Sequence, residues 1–262
     1  MNSGSSRDRN GPPRLELRNL TKFFGGVAAV RNVSVAFSPN KITALIGPNG
    51  AGKTTLFNLV CGYLRPSAGS VLLGGEDVTD RKPWEMARLG IGRLFQDVRV
   101  FSKLTVLENV MVAFPKQTGE EFWHPIVRRR QTLQSERASR DRAYSLLEFV
   151  TLADKANTLA ENLSFGQQKL LAIARLLAMD AKILLLDEPA SGVHPALLES
   201  ILSLMISLAK QGKMIIFIEH NLGVVLELAH WVYVLDEGEV VAFGLPDEVI
   251  HDKTTREAYL GV

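Results

Sequence analysis

One cysteine in 262 residues leaves this chain no internal disulfide, which fits a reducing compartment such as the cytosol. That residue, Cys61, sits in an apolar stretch, where a packing role and a reactive role are both open. Charge of one sign is missing too. Thirty lysines and arginines face 28 acidic residues, a net charge of +2, so bulk electrostatics give no case for nucleic-acid binding. No run approaches the roughly eighteen apolar residues that span a bilayer. Residues 201–209 are interrupted by serines, and 214–218 are only strand length. The expectation is a chain soluble by itself. Residues 1–13 are polar, carry Gly and Pro and lack an apolar centre, so they read as a disordered leader and not a signal peptide. His124, His194, His230 and His251 show no metal-ligand spacing, and no Ser/His/Asp or Cys/His grouping suggests a covalent nucleophile.

What is present suffices for a globular fold. With 46% hydrophobic and 22% charged residues, a substantial core can be buried and global disorder is excluded. The length suits one large domain or a domain with an inserted lobe. Within it, Gly47-Pro48-Asn49-Gly50-Ala51-Gly52-Lys53-Thr54 fits the phosphate-cradling pattern G-x-x-x-x-G-K-[ST] at every fixed position. An apolar strand pattern, Ile42 to Ile46, precedes it, and a helical one, from Thr55 to Val60, follows. That is the strand–loop–helix context the pattern requires. The glycines let successive N–H groups point at phosphate oxygens, and the helix adds its positive end. Lys53 would reach the β- and γ-phosphates, and the Thr54 hydroxyl would coordinate Mg²⁺. Such a match arises by accident in about one chain in a hundred of this length. A bound nucleoside triphosphate is the expectation.

Alternating segments at 15–17, 33–37 and 70–73 predict a small antiparallel sheet beside this loop. Residues 100–180 read mostly as helix, broken near Pro115 and Pro125. Two continuous apolar strands follow, at 183–186 and 214–218, with a helix between them at about 196–209. Strands apolar on both faces argue for a covered parallel sheet. The expected fold is α/β: one domain over 14–262, its core at 14–96 and 181–262, with a helical lobe at about 97–180. The run Arg128-Arg129-Arg130 lies in the least regular segment, 117–142. It reads as a solvated helix face or as a phospholipid or partner contact.

Asp187 and Glu188 end the 183–186 strand, at the edge of a parallel sheet where ligands bind. Asp187 would hold the Mg²⁺ water shell, and Glu188 would orient or deprotonate an attacking water. The same Asp-Glu-Pro could instead cap a helix. His220 follows the next strand on the same edge and could bond the γ-phosphate and Glu188. Gln96 could touch Mg²⁺ or water. Leu163-Ser164-Phe165-Gly166-Gln167-Gln168 precedes a strong helix at 169–179. Ser164 there is either a plain N-cap or part of a second phosphate site.

Taken in order, the phosphate loop, Gln96, Leu-Ser-Phe-Gly-Gln-Gln, Ile-Leu-Leu-Leu-Asp-Glu-Pro and His220 resemble the ATP-binding subunits of ABC transporters over residues 14–262. The resemblance implies a P-loop NTPase core with a small antiparallel β subdomain and an inserted helical subdomain. It implies ATP and Mg²⁺ as ligands, with Gly47 to Lys53, Thr54 and Thr55 on the phosphates and Phe24 stacked on adenine, although Phe24 could equally be core. It implies Thr54, Gln96 and Asp187 around the metal, and Glu188, His220 and Gln96 in catalysis. It further implies a head-to-tail dimer, with a second copy or a paralogous ATPase, in which Ser164, Phe165, Gly166 and Gln167 complete the partner's site. Separate transmembrane permease subunits would dock near Gln96 and the helical lobe, served indirectly by a solute-binding protein. The chain would then lie peripherally on the cytoplasmic face of the membrane.

Within the family the likeness is to branched-chain or hydrophobic amino-acid importers. Phe24-Gly25-Gly26-Val27-Ala28-Ala29-Val30, Phe95-Gln96-Asp97-Val98-Arg99-Val100-Phe101, Phe165, Ile218-Glu219-His220-Asn221-Leu222 and Ala258-Tyr259-Leu260-Gly261 carry it. Three positions depart from the family's pattern: His194 where Asp is common, Phe165 for Gly, and Leu94 for Thr. The first puts communication between the two ATP sites in question. Exporter ATPases, soluble ABC ATPases acting on nucleic acid or ribosomes, and a non-hydrolysing nucleotide sensor are the competing readings.

Overall fold

The structure, a computed structural model, describes residues 14–115 and 129–260. The expected leader, the segment 116–128 with His124, Pro125 and Arg128, and Gly261 lie outside the described residues. The chain opens with β1 (Leu15–Phe24), β2 (Val27–Phe37) and β3 (Ile42–Ile46), then α1 (Lys53–Val60). β4 (Ala68–Leu73), β5 (Glu76–Asp77), α2 (Pro83–Arg88) and β6 (Ile91–Leu94) follow. Next come α3 (Val106–Met111), α4 (Arg129–Phe149) and α5 (Phe165–Ala178). The last part holds β7 (Ile183–Asp187), α6 (Pro195–Lys210), β8 (Met214–Ile218), α7 (Leu222–Leu228), β9 (Trp231–Asp236), β10 (Glu239–Gly244), α8 (Pro246–His251) and α9 (Lys253–Leu260).

Two sheets form, in the orders β2-β1-β4-β5 and β10-β9-β3-β8-β7-β6. The first is the expected small antiparallel sheet. The second is parallel from β9 to β6, but β10 pairs antiparallel with β9. That hairpin and β6 were not foreseen. β6 contains Gly92 and Arg93, which break the apolar run, and β9 alternates buried with half-buried residues because it has one covered face.

The central strands are buried on both faces, and period-2 alternation sorts their side chains into two cores. Ile42, Ala44, Leu184, Leu186, Ile215 and Phe217 face the helices, whereas Leu45, Ile183, Leu185, Met214 and Ile216 face α1 and the antiparallel sheet. Between β6 and β7 the chain leaves the sheet, builds α3 to α5 and returns, so these neighbouring parallel strands are joined through the helices. The described part of residues 100–180 is mostly helical, with α3, α4 and α5 holding most of it and two short 3-10 segments lying between α4 and α5.

Candidate functional site

The loop between β3 and α1 is shaped by two close backbone approaches. Gly47 has φ 145°, and a Cβ there would fall 1.9 Å from the Leu235 carbonyl oxygen. Gly52, the N-cap of α1, has φ 95°, and its Cβ would fall 2.2 Å from the Ala29 carbonyl oxygen. Only glycine fits either position. Lys53 is buried, and its ammonium donates to the carbonyl oxygens of Gly47 (2.7 Å) and Pro48 (2.8 Å). Burial lowers its pKa, opposed by the charges of Glu188 and Asp187. A cleft of about 270 Å³ opens over the loop, lined by residues 49–55 with Gln96, Glu188 and His220.

Glu188 joins these elements. β7 delivers it to the sheet edge, where its φ is 49°, a costly conformation for a side chain with a Cβ. Its carboxylate accepts from the Gln96 amide (3.0 Å) and meets His220 Nε2 at 3.2 Å. Its backbone N–H donates to the Ile218 carbonyl at 3.0 Å, which ties it to β8. Asp187, one residue earlier, is buried and pairs with Arg93 at 3.1 Å. Burial raises its pKa, and Arg93 opposes this. The helix-cap alternative for Asp187 and Glu188 does not hold: α6 begins only at Pro195, and His194 caps it.

Thr54, Gln96 and Asp187 offer hydroxyl, amide and carboxylate oxygens, the hard donor set that suits Mg²⁺. Gln96 uses its amide N–H for Glu188, not its oxygen. In donor chemistry these residues fit the metal, but only Thr54 and Gln96 line the cleft, while Asp187 lies buried behind it and Arg93 competes for its carboxylate.

The structure does not bring the remaining predicted residues into that cleft. Ser164 caps α5 in a reciprocal box with Gln167: its hydroxyl accepts from the Gln167 N–H at 3.4 Å, and its N–H donates to Gln167 Oε1 at 3.0 Å. Phe165 is exposed, and Gly166 lets α5 approach Leu197 of α6. None of these four residues lines the cleft over Lys53. Phe24 is 48% exposed, which excludes the core alternative. It ends the β1–β2 hairpin, whose Ala29 abuts Gly52, but it does not line the cleft.

Three charged residues escaped the sequence reading. Arg93 lies among apolar neighbours in β6. It donates to Asn58 Oδ1 at 2.5 Å as well as pairing with Asp187. Lys169 lies on the buried face of α5, and its ammonium donates to the carbonyls of Glu188, Pro189 and Ser191. Glu219, directly after β8, accepts from the Ala190 N–H at 2.8 Å. Burial lowers the pKa of Lys169 and raises that of Glu219, each opposed by the other's charge. The only signal was a charge inside or beside an apolar run.

A larger groove, about 790 Å³, runs between β2 and the β9–β10 hairpin. Its Arg31 and Glu239 are paired with each other at 3.2 Å, and none of the predicted site residues lines it.

A family model described as ABC transporter matches residues 30–191. A protein of Archaeoglobus fulgidus named as a probable branched-chain amino acid transport ATP-binding protein, LivG, is 40% identical over 247 residues, covering 94% of this chain and 95% of that one. A solved nucleotide-free ATP-binding cassette from an ABC transporter superposes with a TM-score of 0.81 at 31% identity, over 96% of this chain and 100% of that one. A dimeric cassette in a post-hydrolysis state, bound to ADP and Pi, gives a TM-score of 0.75 at 28% identity, over 88% and 98%.

Proposed function

The chain belongs to the ABC transporter family, and on that premise we propose that it is the Mg²⁺-dependent ATPase subunit of an importer for branched-chain or other hydrophobic amino acids. The observation that carries the reading is Glu188. It sits at the carboxyl edge of the sheet, bonded to both Gln96 and His220, over a cleft floored by the phosphate loop. The amino-acid class rests on the name of the Archaeoglobus relative.

ATP enters over residues 49–55, where loop N–H groups and the start of α1 receive the phosphates. Lys53 leaves the Gly47 and Pro48 carbonyls for the β- and γ-phosphates, so the empty loop keeps its ammonium satisfied until ligand arrives. Bound Mg²⁺, held by Thr54, Gln96 and Asp187, supplies neutralisation of phosphate charge. Glu188 orients water and takes its proton, with Gln96 and His220 fixing the carboxylate on either side. Phe24, exposed at the hairpin end, stacks on the adenine ring.

The turn at 164–167 serves the ATP of a second subunit, as a dimer with a second copy or a paralogue would allow. The solved relative that is dimeric and holds ADP and Pi supports this arrangement. Residues 14–262 act as one ATPase domain whose helical lobe lies between β6 and β7. A permease docks beside Gln96, where the neighbouring Phe95 packs edge to face with the exposed Tyr63, their centroids 5.6 Å apart. Among the described residues no helix is long and apolar enough to cross a membrane. In this reading the permease spans the membrane and this chain lies peripherally on its cytoplasmic face. A solute-binding protein acts only through the permease.

The test is Mg²⁺-ATPase activity of the purified chain against protein concentration, with Glu188→Gln as control. Turnover rises faster than linearly with concentration, and the variant loses about 10²–10⁴-fold while still binding ATP. Wild-type turnover by the pure variant would remove Glu188 from the reaction.

A further inference from the structure

Residues 188–191 are held from two sides by buried charges that the hydrolysis chemistry does not use. Lys169, 1% exposed, directs its ammonium at three carbonyl oxygens of this loop: Glu188 at 2.5 Å, Ser191 at 2.6 Å and Pro189 at 3.2 Å. Three acceptors match the three N–H bonds of an ammonium. The loop amide between those carbonyls, Ala190 N–H, goes to the carboxylate of Glu219 at 2.8 Å. The other Glu219 oxygen accepts from the backbone N–H of His220 at 3.3 Å. Positive charge thus takes the loop's oxygens, and negative charge takes its N–H together with that of His220. Lys169 also lies 5.0 Å from the centre of the Phe165 ring. It follows Ser164 by five residues of one rigid helix, about 7.5 Å along the axis.

We propose that Lys169 and Glu219 are a positioning couple that relays the state of the turn at 164–167 to Glu188 and His220 of the same subunit. A displacement at the start of α5 carries Lys169 with it. The Glu188 carbonyl, the left-handed turn there and the carboxylate between Gln96 and His220 then shift together. The relay runs inside one chain and needs no acidic residue at position 194, where this protein has His. It rests on the reading that the turn at 164–167 completes a second subunit's ATP site.

The experiment compares Lys169→Met, Lys169→Arg, Glu219→Gln and the double variant Lys169→Met/Glu219→Gln. Circular dichroism confirms folding, a fluorescent ATP analogue reports binding, and ATPase assays give kcat and KM. The expected result is kcat lower by about 10–100-fold in Lys169→Met and in Glu219→Gln, with nucleotide affinity within about threefold of wild type. Lys169→Arg restores most of the rate, and the double variant is no slower than the slower single one, as a coupled pair requires. Should Lys169→Met fail to fold, Glu219→Gln and Lys169→Arg carry the same comparison. The couple is overturned if folded variants keep kcat within about twofold of wild type. It is equally overturned if binding and turnover fall in parallel, or if the two single effects simply multiply. A wild-type rate strictly proportional to protein concentration, with the protein monomeric in Mg²⁺-ATP by sedimentation, would remove the composite site and the relay with it, and that result is read without any variant.

Discussion

Cys61 follows α1 with 4% of its surface exposed, and burial pushes its thiol up to about 12. Of the two roles its sequence context left open, packing fits and nucleophilic chemistry does not. At pH 8 a thiol of pKa about 12 is ionised to only about one part in ten thousand, against roughly a quarter for a free one. Dithionitrobenzoate therefore reacts with the native protein far more slowly than with the chain in guanidinium, and rapid labelling of native protein would refute this burial. The linkage sign follows from the same shift. Between about 8.5, the free thiol's value, and about 12, the unfolded chain gives up the proton and the folded chain keeps it. Stability falls as pH rises through that window, and Cys61→Ala flattens this part of the pH profile of Tm. Among the polar residues, the gathering of Lys53, Thr54 and Glu188 at one cleft was legible, because their motifs sit at fixed places on the sheet edge. Arg93 was not, since its partner Asp187 is 94 positions away and only the β6–β7 pairing brings them together.

At the scale of elements, α6 is unusual in its cap. His194 accepts from the Ala196 N–H at a long 3.4 Å, and the first turn holds no acidic residue to complement the helix dipole. A carboxylate here accepts the free N–H groups better and favours the positive end of the helix. His194→Asp therefore adds about 0.5–1 kcal/mol, or roughly 1–4 °C in Tm, measured by thermal melting at pH 7. An unchanged Tm would mean that the cap does not limit stability. Elements with strong periodicity were readable in advance: β8 matches its predicted span, and β7 and α6 match within one residue or so. α5 starts earlier than predicted, at Phe165, because the Ser164–Gln167 box lets the helix include residues that read as a motif. β9 and β10 escaped because the hairpin at the sheet edge is half-exposed, alternating buried with more exposed residues where the central strands are buried throughout.

For the molecule as a whole, the chemistry is divided. One half, the phosphate loop with Gln96, Glu188 and His220, shares a single cleft; the other half, at the start of α5, lies outside it. Sequence order could reveal both halves but not their separation, which depends on how β6 and β7 frame the helices between them. In the proposed reading a lone chain holds ATP on one side only. If the second half comes from another subunit, nucleotide becomes the adhesive of the dimer, and cleavage of the γ-phosphate dissolves it. Glu188→Gln removes the step that dissolves it and leaves the loop and the 164–167 turn intact. Sedimentation velocity then finds Glu188→Gln monomeric without nucleotide or with ADP, and dimeric with Mg²⁺-ATP. Adding Ser164→Glu places a carboxylate where the partner's γ-phosphate must sit, and the like charges return the protein to monomer. Persistence of the monomer in Glu188→Gln at saturating ATP, with ATP demonstrably bound, would mean that the second half-site belongs to a paralogous subunit.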